Sequence, residues 1–421
     1  MKIITLYFCM ILFLTVTTKA QFNIEGDFRV RWYTDKFHEA LDNRGDETYM
    51  RYYGSLKGNV KASKNISFTT ELLTIIQNQN NTVRNIVGTG PMSYTISQIY
   101  AELAQPNFSI FDMARIRVGR QPFGMGSGLS FGESYYFRDK FDGARIDLAY
   151  SPVTLTLFGA ITGQNLSESG LYPEPGSDQI YAARLAGNVM DQNVMTYYIL
   201  QRLRGSFNDN QIFGLGVTGD FLNARLDYFA EFAAQSFNTA PGLPEKGGIG
   251  YMGGVGYRWS WGPFSSVKVE ARYAAYQGDD ASTKKIEQFS PPYASFFWGD
   301  RNGYVNGEIG GDFPWRGRDL EGSRILYGRI YVIPRIFPDL RIQLQYLKMN
   351  EYIDNDNYNS KDDEISLRLY YKLFNQSQLS LRYTHSFPND EDKDVNNSGL
   401  LSSSEDRVAY SRIMLELRVV F

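Results

Sequence analysis

The sequence has a single cysteine, Cys9, and that residue lies in an apolar N-terminal segment. Residues 1–20 follow the pattern of a secretory signal peptide, with Lys2 as the positive residue, an apolar stretch after it and a small-x-small cleavage site before Gln21. We therefore expect residues 1–20 to be removed. The chain that remains has no thiol, which excludes disulfides, thiolate metal ligands and a cysteine nucleophile.

Histidine is almost as scarce, and this limits the enzyme classes open to the chain. His38 falls in a predicted loop and His385 in a predicted strand, and no serine motif is paired with His385. Asp227 and Glu231 share one side of a strand, where salt bridging explains them without a glycosidase role. The glycine pairs within 247–254 do not open a helix, so they do not form a phosphate loop. We expect no enzyme activity, cofactor or metal.

Long apolar runs are also missing after residue 20, although 43% of the residues are hydrophobic and 15% are aromatic. Apolar and polar residues instead alternate in segments of about ten, the length that a tilted strand needs to cross a bilayer. A strand in a closed membrane barrel turns half of its residues toward the lumen, so it needs no apolar run. No Pro/Ser-rich linker divides the chain, and we expect residues 21–421 to form one barrel domain.

The alternation predicts eighteen strands, with short and long connections in turn. These strands are 21–32, 48–62, 66–76, 93–104, 114–121, 141–150, 153–160, 180–190, 194–203, 211–219, 223–234, 248–259, 265–276, 324–333, 339–349, 364–374, 377–387 and 407–421. Short periplasmic turns and long extracellular loops are typical of outer-membrane barrels. The sequence therefore predicts an all-β, transmembrane, antiparallel up-and-down β-barrel in the bacterial outer membrane. An even strand number lets the first strand pair with the last and leaves no edge.

The chain ends in a strand rather than in a turn or a polar tail. From Ile413 to Phe421 every second residue is apolar, and the last residue is a free aromatic. This pattern resembles the closing strand of outer-membrane barrels, and we expect the barrel-assembly machinery to recognise it. The alternative is an amphipathic edge strand in a soluble sandwich.

The sides of the strands opposite the apolar rows carry more bases than acids, roughly two to one. The bases are Arg29, Arg31, Arg51, Lys57, Lys61, Arg117, Arg145, Arg184, Arg225, Arg258, Lys268, Arg272, Arg329, Arg341, Arg368, Lys372, Arg382, Arg412 and Arg418. The acids are Glu25, Asp27, Glu71, Glu102, Asp147, Asp227, Glu231, Glu270, Glu364 and Glu416.

A lumen lined by such an excess of bases would attract anions. We take as substrate-pathway residues Arg29, Arg117, Arg184, Arg225, Arg258, Arg272, Arg329 and Arg368. The alternative is that these arginines only neutralise carboxylates of the lumen. Because the formal net charge of the chain is −3, acids must concentrate in the loops, as they do in 350–364 and 388–406. Those loops could bind divalent cations together with lipopolysaccharide, or could simply be solvated.

Two long loops, 122–140 and 277–323, are predicted to fold toward the lumen. The second would expose Phe296, Phe297 and Trp298 to water unless they pack against something. Packing inside the barrel mouth would bring Arg301 into the substrate pathway. The alternative is that these aromatics contact neighbouring loops or another subunit.

Residues 117–147 resemble the alginate-export family of outer-membrane barrels. The matching pieces are Gly119-Arg120-Gln121 at the end of a strand, and Phe141-Asp142-Gly143-Ala144-Arg145 at the start of the next. The resemblance implies an eighteen-stranded barrel and an electropositive constriction that passes a polyuronate. It also implies that Arg120 and Arg145 belong to this constriction. Strict alternation puts Arg120 on the lipid side, so we expect a bulge near Gly119 that turns it inward.

These observations favour an outer-membrane porin or exporter for the passive diffusion of anionic solutes, among them an acidic oligo- or polysaccharide. The alternative is a surface-exposed structural or binding barrel with an occluded lumen. The expected partners are outer-membrane lipid, lipopolysaccharide, the assembly machinery and the anionic solute, with no nucleic acid.

Overall fold

A computed structural model describes the chain at residues 21–37, 47–79, 82–85, 95–130, 140–162, 178–202, 209–238, 245–278, 285–287, 289, 322–353, 358–374, 376–388 and 410–421. Within these ranges, no helix is long and apolar enough to cross a membrane. The strands are β1 (Gln21–Phe37), β2 (Glu47–Lys61), β3 (Ile66–Gln79), β4 (Thr82–Asn85), β5 (Thr95–Phe108), β6 (Phe111–Pro122), β7 (Lys140–Tyr150), β8 (Val153–Thr162), β9 (Asp178–Val189), β10 (Gln192–Arg202), β11 (Asp209–Phe221), β12 (Leu226–Phe237), β13 (Lys246–Trp261), β14 (Phe264–Tyr276), β15 (Ile286–Glu287), β16 (Ser323–Pro334), β17 (Leu340–Ile353), β18 (Tyr358–Lys372), β19 (Gln378–Pro388) and β20 (Tyr410–Val420).

Eighteen of these strands form a closed antiparallel barrel. Each long strand pairs with the next one along the chain, and β1 pairs with β20 over a register that runs from Asp27 opposite Val420 to Phe37 opposite Tyr410. The short strands β4 and β15 are additions, one beside β3 and the other parallel to β13. The predicted fold class and strand number are confirmed.

Two predicted connections are wrong. The connection predicted over 105–113 is a tight turn at Ser109 and Ile110, because β5 continues to Phe108 and β6 begins at Phe111. The predicted loop 350–363 is largely strand, since β17 runs to Ile353 and β18 begins at Tyr358. Ladder hydrogen bonds need only backbone groups, so strands continue where the alternation of side chains has ended.

The alternation places apolar residues outside the barrel, and in β18, β19, β20, β1 and β2 it places mainly polar residues inside. Along β20 the exposed Ile413, Leu415 and Leu417 alternate with the buried Arg412 and Glu416. A closed ladder leaves no unpaired edge, and an apolar exterior suits the hydrocarbon of a bilayer. The protein is therefore an outer-membrane β-barrel.

The seam between β1 and β20 is held at its short-turn end by the last residue. Gly26 donates a backbone hydrogen bond to the carbonyl of Phe421 (2.8 Å) and accepts one from its amide (3.1 Å). The Phe421 ring lies where a side chain at position 26 would stand. The absence of a side chain at Gly26 therefore leaves the space that the Phe421 ring occupies.

Candidate functional site

The inward faces of five neighbouring strands, β18, β19, β20, β1 and β2, carry a group of buried arginines that we call the basic strip. Each member is 8% exposed or less. Alternate residues of a strand share one face, so the Arg-x-Arg spacing of β1 directs two arginines inward. The basic strip consists of Arg29, Arg31, Arg51, Arg368, Arg382 and Arg412.

Two arginines of the strip face each other across a strand pair. Arg368 of β18 is directly opposite Arg382 of β19. Like charges in directly opposite positions are unfavourable. In addition, the Nε and Nη1 atoms of Arg368 have no hydrogen-bond partner among the described residues. An anion bound between the two guanidinium groups would relieve the repulsion and satisfy these donors.

Carboxylates balance the strip only in part. Glu416 forms a buried ion pair with Arg31, and Glu364 accepts a hydrogen bond from the Ser366 hydroxyl (2.8 Å). These are the two buried carboxylates that the described parts of the five strands contain, and the partly exposed Asp27 also pairs with Arg29, against six buried arginines. The strip therefore keeps an excess of positive charge.

Tyrosine rings order the guanidinium groups at the loop end of the strip. Tyr33 and Tyr49 stack with their ring centroids 4.7 Å apart, and Arg412 donates a hydrogen bond to the Tyr49 hydroxyl (3.0 Å). The guanidinium carbons of Arg412 and Arg51 lie 5.1 and 5.6 Å from the Tyr33 ring centroid. Cation–π contacts of this kind fix the planes of the guanidinium groups.

The chain after β6 turns into the barrel and forms an inner loop, residues 123–130. Phe123, Met125 and Leu129 are buried in an apolar cluster that includes inward-facing residues of β7 to β14. The ring of Phe123 stacks on that of Phe158 at 3.8 Å between centroids. Burying these apolar side chains stabilises the inward fold of the loop.

A single carboxylate fastens the inner loop to the wall. Glu231 of β12 accepts hydrogen bonds from the Ser127 amide and from the Tyr197 hydroxyl (2.7 Å), and the Tyr197 oxygen in turn accepts one from the Ser130 hydroxyl (2.9 Å). Gly126, at a φ of +63°, packs directly on the carboxylate, where a larger residue would collide. We call the Glu231–Tyr197–Ser127 contacts the latch.

The second long loop also begins by turning inward. The Phe289 amide donates to the Gln277 carbonyl (2.9 Å), and its buried ring packs on Gly250 and on Tyr276, 5.7 Å between ring centroids. Nearby, the hydrogen bond and charge of Lys285 lower the pKa of the Glu245 carboxyl. Residues 131–139 and 290–321 lie outside the described ranges, so the full inward fold of both loops stays a prediction.

Five of the eleven predicted pathway arginines face inward and have carboxylate partners. The pairs are Arg29 with Asp27, Arg117 with Glu102, Arg145 with Asp147, and both Arg272 and Arg329 with Glu270. Arg184 also faces inward and donates to the Thr156 hydroxyl (3.4 Å). For the paired residues, neutralisation of lumen carboxylates is enough to explain the charge.

Three predicted positions need correction, and one cannot be placed. Arg120 lies opposite the exposed Ile99 and forms a bidentate ion pair with Asp142 (both distances 2.8 Å), so it faces outward. The register runs through Gly119 without a shift, so the expected inward turn does not occur.

Arg225 belongs to the turn 222–225 at the barrel end, because β12 begins only at Leu226. Arg258 is an exposed residue near the same end and donates to the Tyr331 hydroxyl (3.0 Å). Both lie at the rim rather than deep in the lumen. Arg301 lies outside the described residues.

Four members of the basic strip, Arg31, Arg51, Arg382 and Arg412, were not singled out as pathway residues. Alternation does predict that they face inward. It predicts that the first strand pairs with the last, but it does not give the register of that pairing, which decides which of these arginines meet. The closure of β1 onto β20 creates that neighbourhood.

No group of three or more His, Cys, Asp or Glu side chains able to hold a metal occurs in the described ranges. No protein-family model matches the sequence, and no curated protein matches it.

Solved structures do resemble the barrel. OccK3 (OpdO) of Pseudomonas aeruginosa aligns with a TM-score of 0.58 at 13% identity and covers 97% of both chains. OccK9 (OpdG) of the same organism gives 0.60 at 11% identity over 95% of this chain and 98% of its own. OprD, also from Pseudomonas aeruginosa, gives 0.54 at 9% identity over 95% of each chain. At these identities the likeness shows the shared eighteen-strand barrel fold.

Proposed function

We propose that the chain is a passive diffusion channel for anionic organic solutes across the outer membrane. The observation that carries this proposal is the basic strip, in which six buried arginines face two buried carboxylates within the described residues. The structural similarity to OprD and Occ channels supports a channel role. Around the barrel we propose outer-membrane lipid and lipopolysaccharide, with Phe421 recognised by the assembly machinery.

The chemistry of the strip suits carboxylates. A guanidinium group is planar and always charged, and it binds a carboxylate through two parallel hydrogen bonds. Several such groups along one wall let an anion pass from one weak site to the next, as conduction requires. At the finer level we propose acidic oligo- or polysaccharide as cargo, because the 117–147 segment resembles the alginate-export family.

A second candidate is a binding or structural barrel with an occluded lumen. The near-complete burial of inward side chains such as Arg368 and Glu416 favours it, since a wide water-filled lumen would leave them exposed. A diffusion channel conducts ions through its lumen, whereas an occluded barrel does not.

The test is the reversal potential of single channels in planar bilayers under a potassium chloride gradient. We expect anion selectivity, and the double variant Arg368→Gln with Arg382→Gln should roughly halve the anion-over-cation permeability ratio, because each charge counts strongly in a narrow lumen. Arg225→Gln, which removes an arginine from the exposed turn, is the matched control and should change little. Cation selectivity of the unaltered protein would overturn the proposal, and absence of conductance would favour the occluded barrel.

A further inference from the structure

Large apolar side chains stand at the tips of several short turns of the barrel, and they are unusually exposed. Met190 is 90% exposed, Ile336 79%, Ile110 71% and Leu222 64%, whereas Leu215 and Leu344 in the lipid-facing wall are 51% and 50% exposed. We call these four residues the turn tips. They lie at the end that is periplasmic in outer-membrane barrels.

The opposite limit of the apolar exterior is marked by polar residues on the outer face. Gln179 accepts a hydrogen bond from the outward-facing Tyr181 (3.1 Å), and Gln211 accepts one from Tyr198 (3.0 Å). Arg324 is exposed on the same face as Leu326, two residues further along β16. Tyrosines followed by amides and charges are typical of the membrane interface. These residues therefore mark the outer boundary of the hydrocarbon.

The distance from this boundary to the turn tips matches the thickness of the apolar band. Nine residue steps separate Tyr181 from Met190, nine separate Phe213 from Leu222, and ten separate Leu326 from Ile336. A strand rises about 3.3 Å per residue and is tilted by about 40°, so these stretches span about 23–25 Å. An outer-membrane barrel has an apolar band about 25 Å tall. If the hydrocarbon layer ended before it reached the turn tips, the part of the barrel wall inside it would be shorter than this apolar band.

We propose that the turn tips are immersed in the inner leaflet of the outer membrane and contact phospholipid acyl chains and glycerol groups. The tips continue the lipid-facing surface, because Met190 follows the exposed Val189 and Leu222 follows the exposed Phe221. Such apolar groups are unfavourable in water and favourable at the interface. This inference does not depend on what passes through the lumen.

Charged residues beside the tips complete an amphipathic edge. Asp191 follows Met190, Arg225 lies three residues beyond Leu222, and Arg335 precedes Ile336. The long side chains of Arg225 and Arg335 reach the headgroups while their neighbours stay in the apolar layer. The turn between β2 and β3 differs, because Ser63, Lys64 and Asn65 form its tip. That turn supplies an internal control.

The depth of each tip can be measured with a single nitroxide label. The sequence after residue 20 contains no cysteine, so Met190→Cys, Leu222→Cys and Ile336→Cys each give one labelling site. The full barrel is folded into phosphatidylethanolamine–phosphatidylglycerol vesicles, and correct folding is confirmed by heat-modifiable gel migration. Spin-label accessibility to oxygen, which is enriched in lipid, is then compared with accessibility to a water-soluble nickel complex.

We expect the three tip labels to be more accessible to oxygen than to nickel, as a label at Leu215→Cys in the middle of the outer wall will be. A label at Lys64→Cys should show the reverse ratio. If the three tip labels match Lys64→Cys, the turns stand in water and the proposal fails. A ratio that matches Leu215→Cys for all three supports it, and the folding check separates both results from a misfolded variant.

Discussion

Gly26 shows how one missing side chain organises the closure of the barrel. Its backbone pairs with Phe421, and the terminal ring occupies the space beside it. We expect Gly26→Ala to displace the ring and destabilise the folded barrel by about 1 kcal/mol, as overpacking does. The measurement is the urea midpoint of unfolding in detergent.

Gly58→Ala is the matched control, because a methyl group there meets only Thr70 at 3.7 Å, an ordinary contact. The effect of Gly26→Ala should also shrink when Phe421 is replaced by alanine, since the two groups then no longer compete for space. Equal effects of Gly26→Ala with and without the Phe421 ring would show that the contact between the ring and Gly26 does not contribute to stability.

At the scale of elements, the inner loop depends on the latch. Glu231 accepts hydrogen bonds from the loop amide of Ser127 and from Tyr197. Glu231→Gln replaces one acceptor oxygen with a donor, so one of these contacts is lost, at a cost of about 1–3 kcal/mol. We expect a looser loop, seen as larger current fluctuations in single-channel recordings and faster proteolytic cleavage within residues 123–130.

Glu102→Gln is a suitable comparison, because Glu102 pairs with Arg117 on the barrel wall. It should leave both the current fluctuations and the cleavage rate unchanged. If the two variants behave alike, the latch does not hold the loop.

The whole molecule depends on the ladder being closed. Every backbone polar group in the membrane must be paired, and the pairing of β1 with β20 removes the last two edges. We expect circular dichroism dominated by β structure and migration on detergent gels that changes on heating. Deleting residues 410–421 leaves β1 and β19 without their partner, and this variant should lose the heat-dependent shift. A truncated chain that still shifts would contradict closure through β20.

The sequence by itself determined the strands and their two faces. Alternation is a local property of each strand, so it predicts eighteen strands, the inward direction of Arg29, Arg145 and Arg368, and the outward direction of Arg120. A resemblance suggested an inward turn there, but backbone register decided the side. Where polar sequence replaced alternation, in 350–363, the pattern gave no sign that pairing continued.

Only the tertiary structure decided which inward residues meet. Arg31 and Glu416 lie 385 residues apart and form a buried ion pair because closure fixes the register of β1 on β20. The same closure gathers Arg382, Arg412 and Arg51 into one strip. The latch likewise joins Ser127 to Glu231 across the lumen side of several strands. Such contacts depend on register and closure of the whole sheet, which no local pattern of side chains encodes.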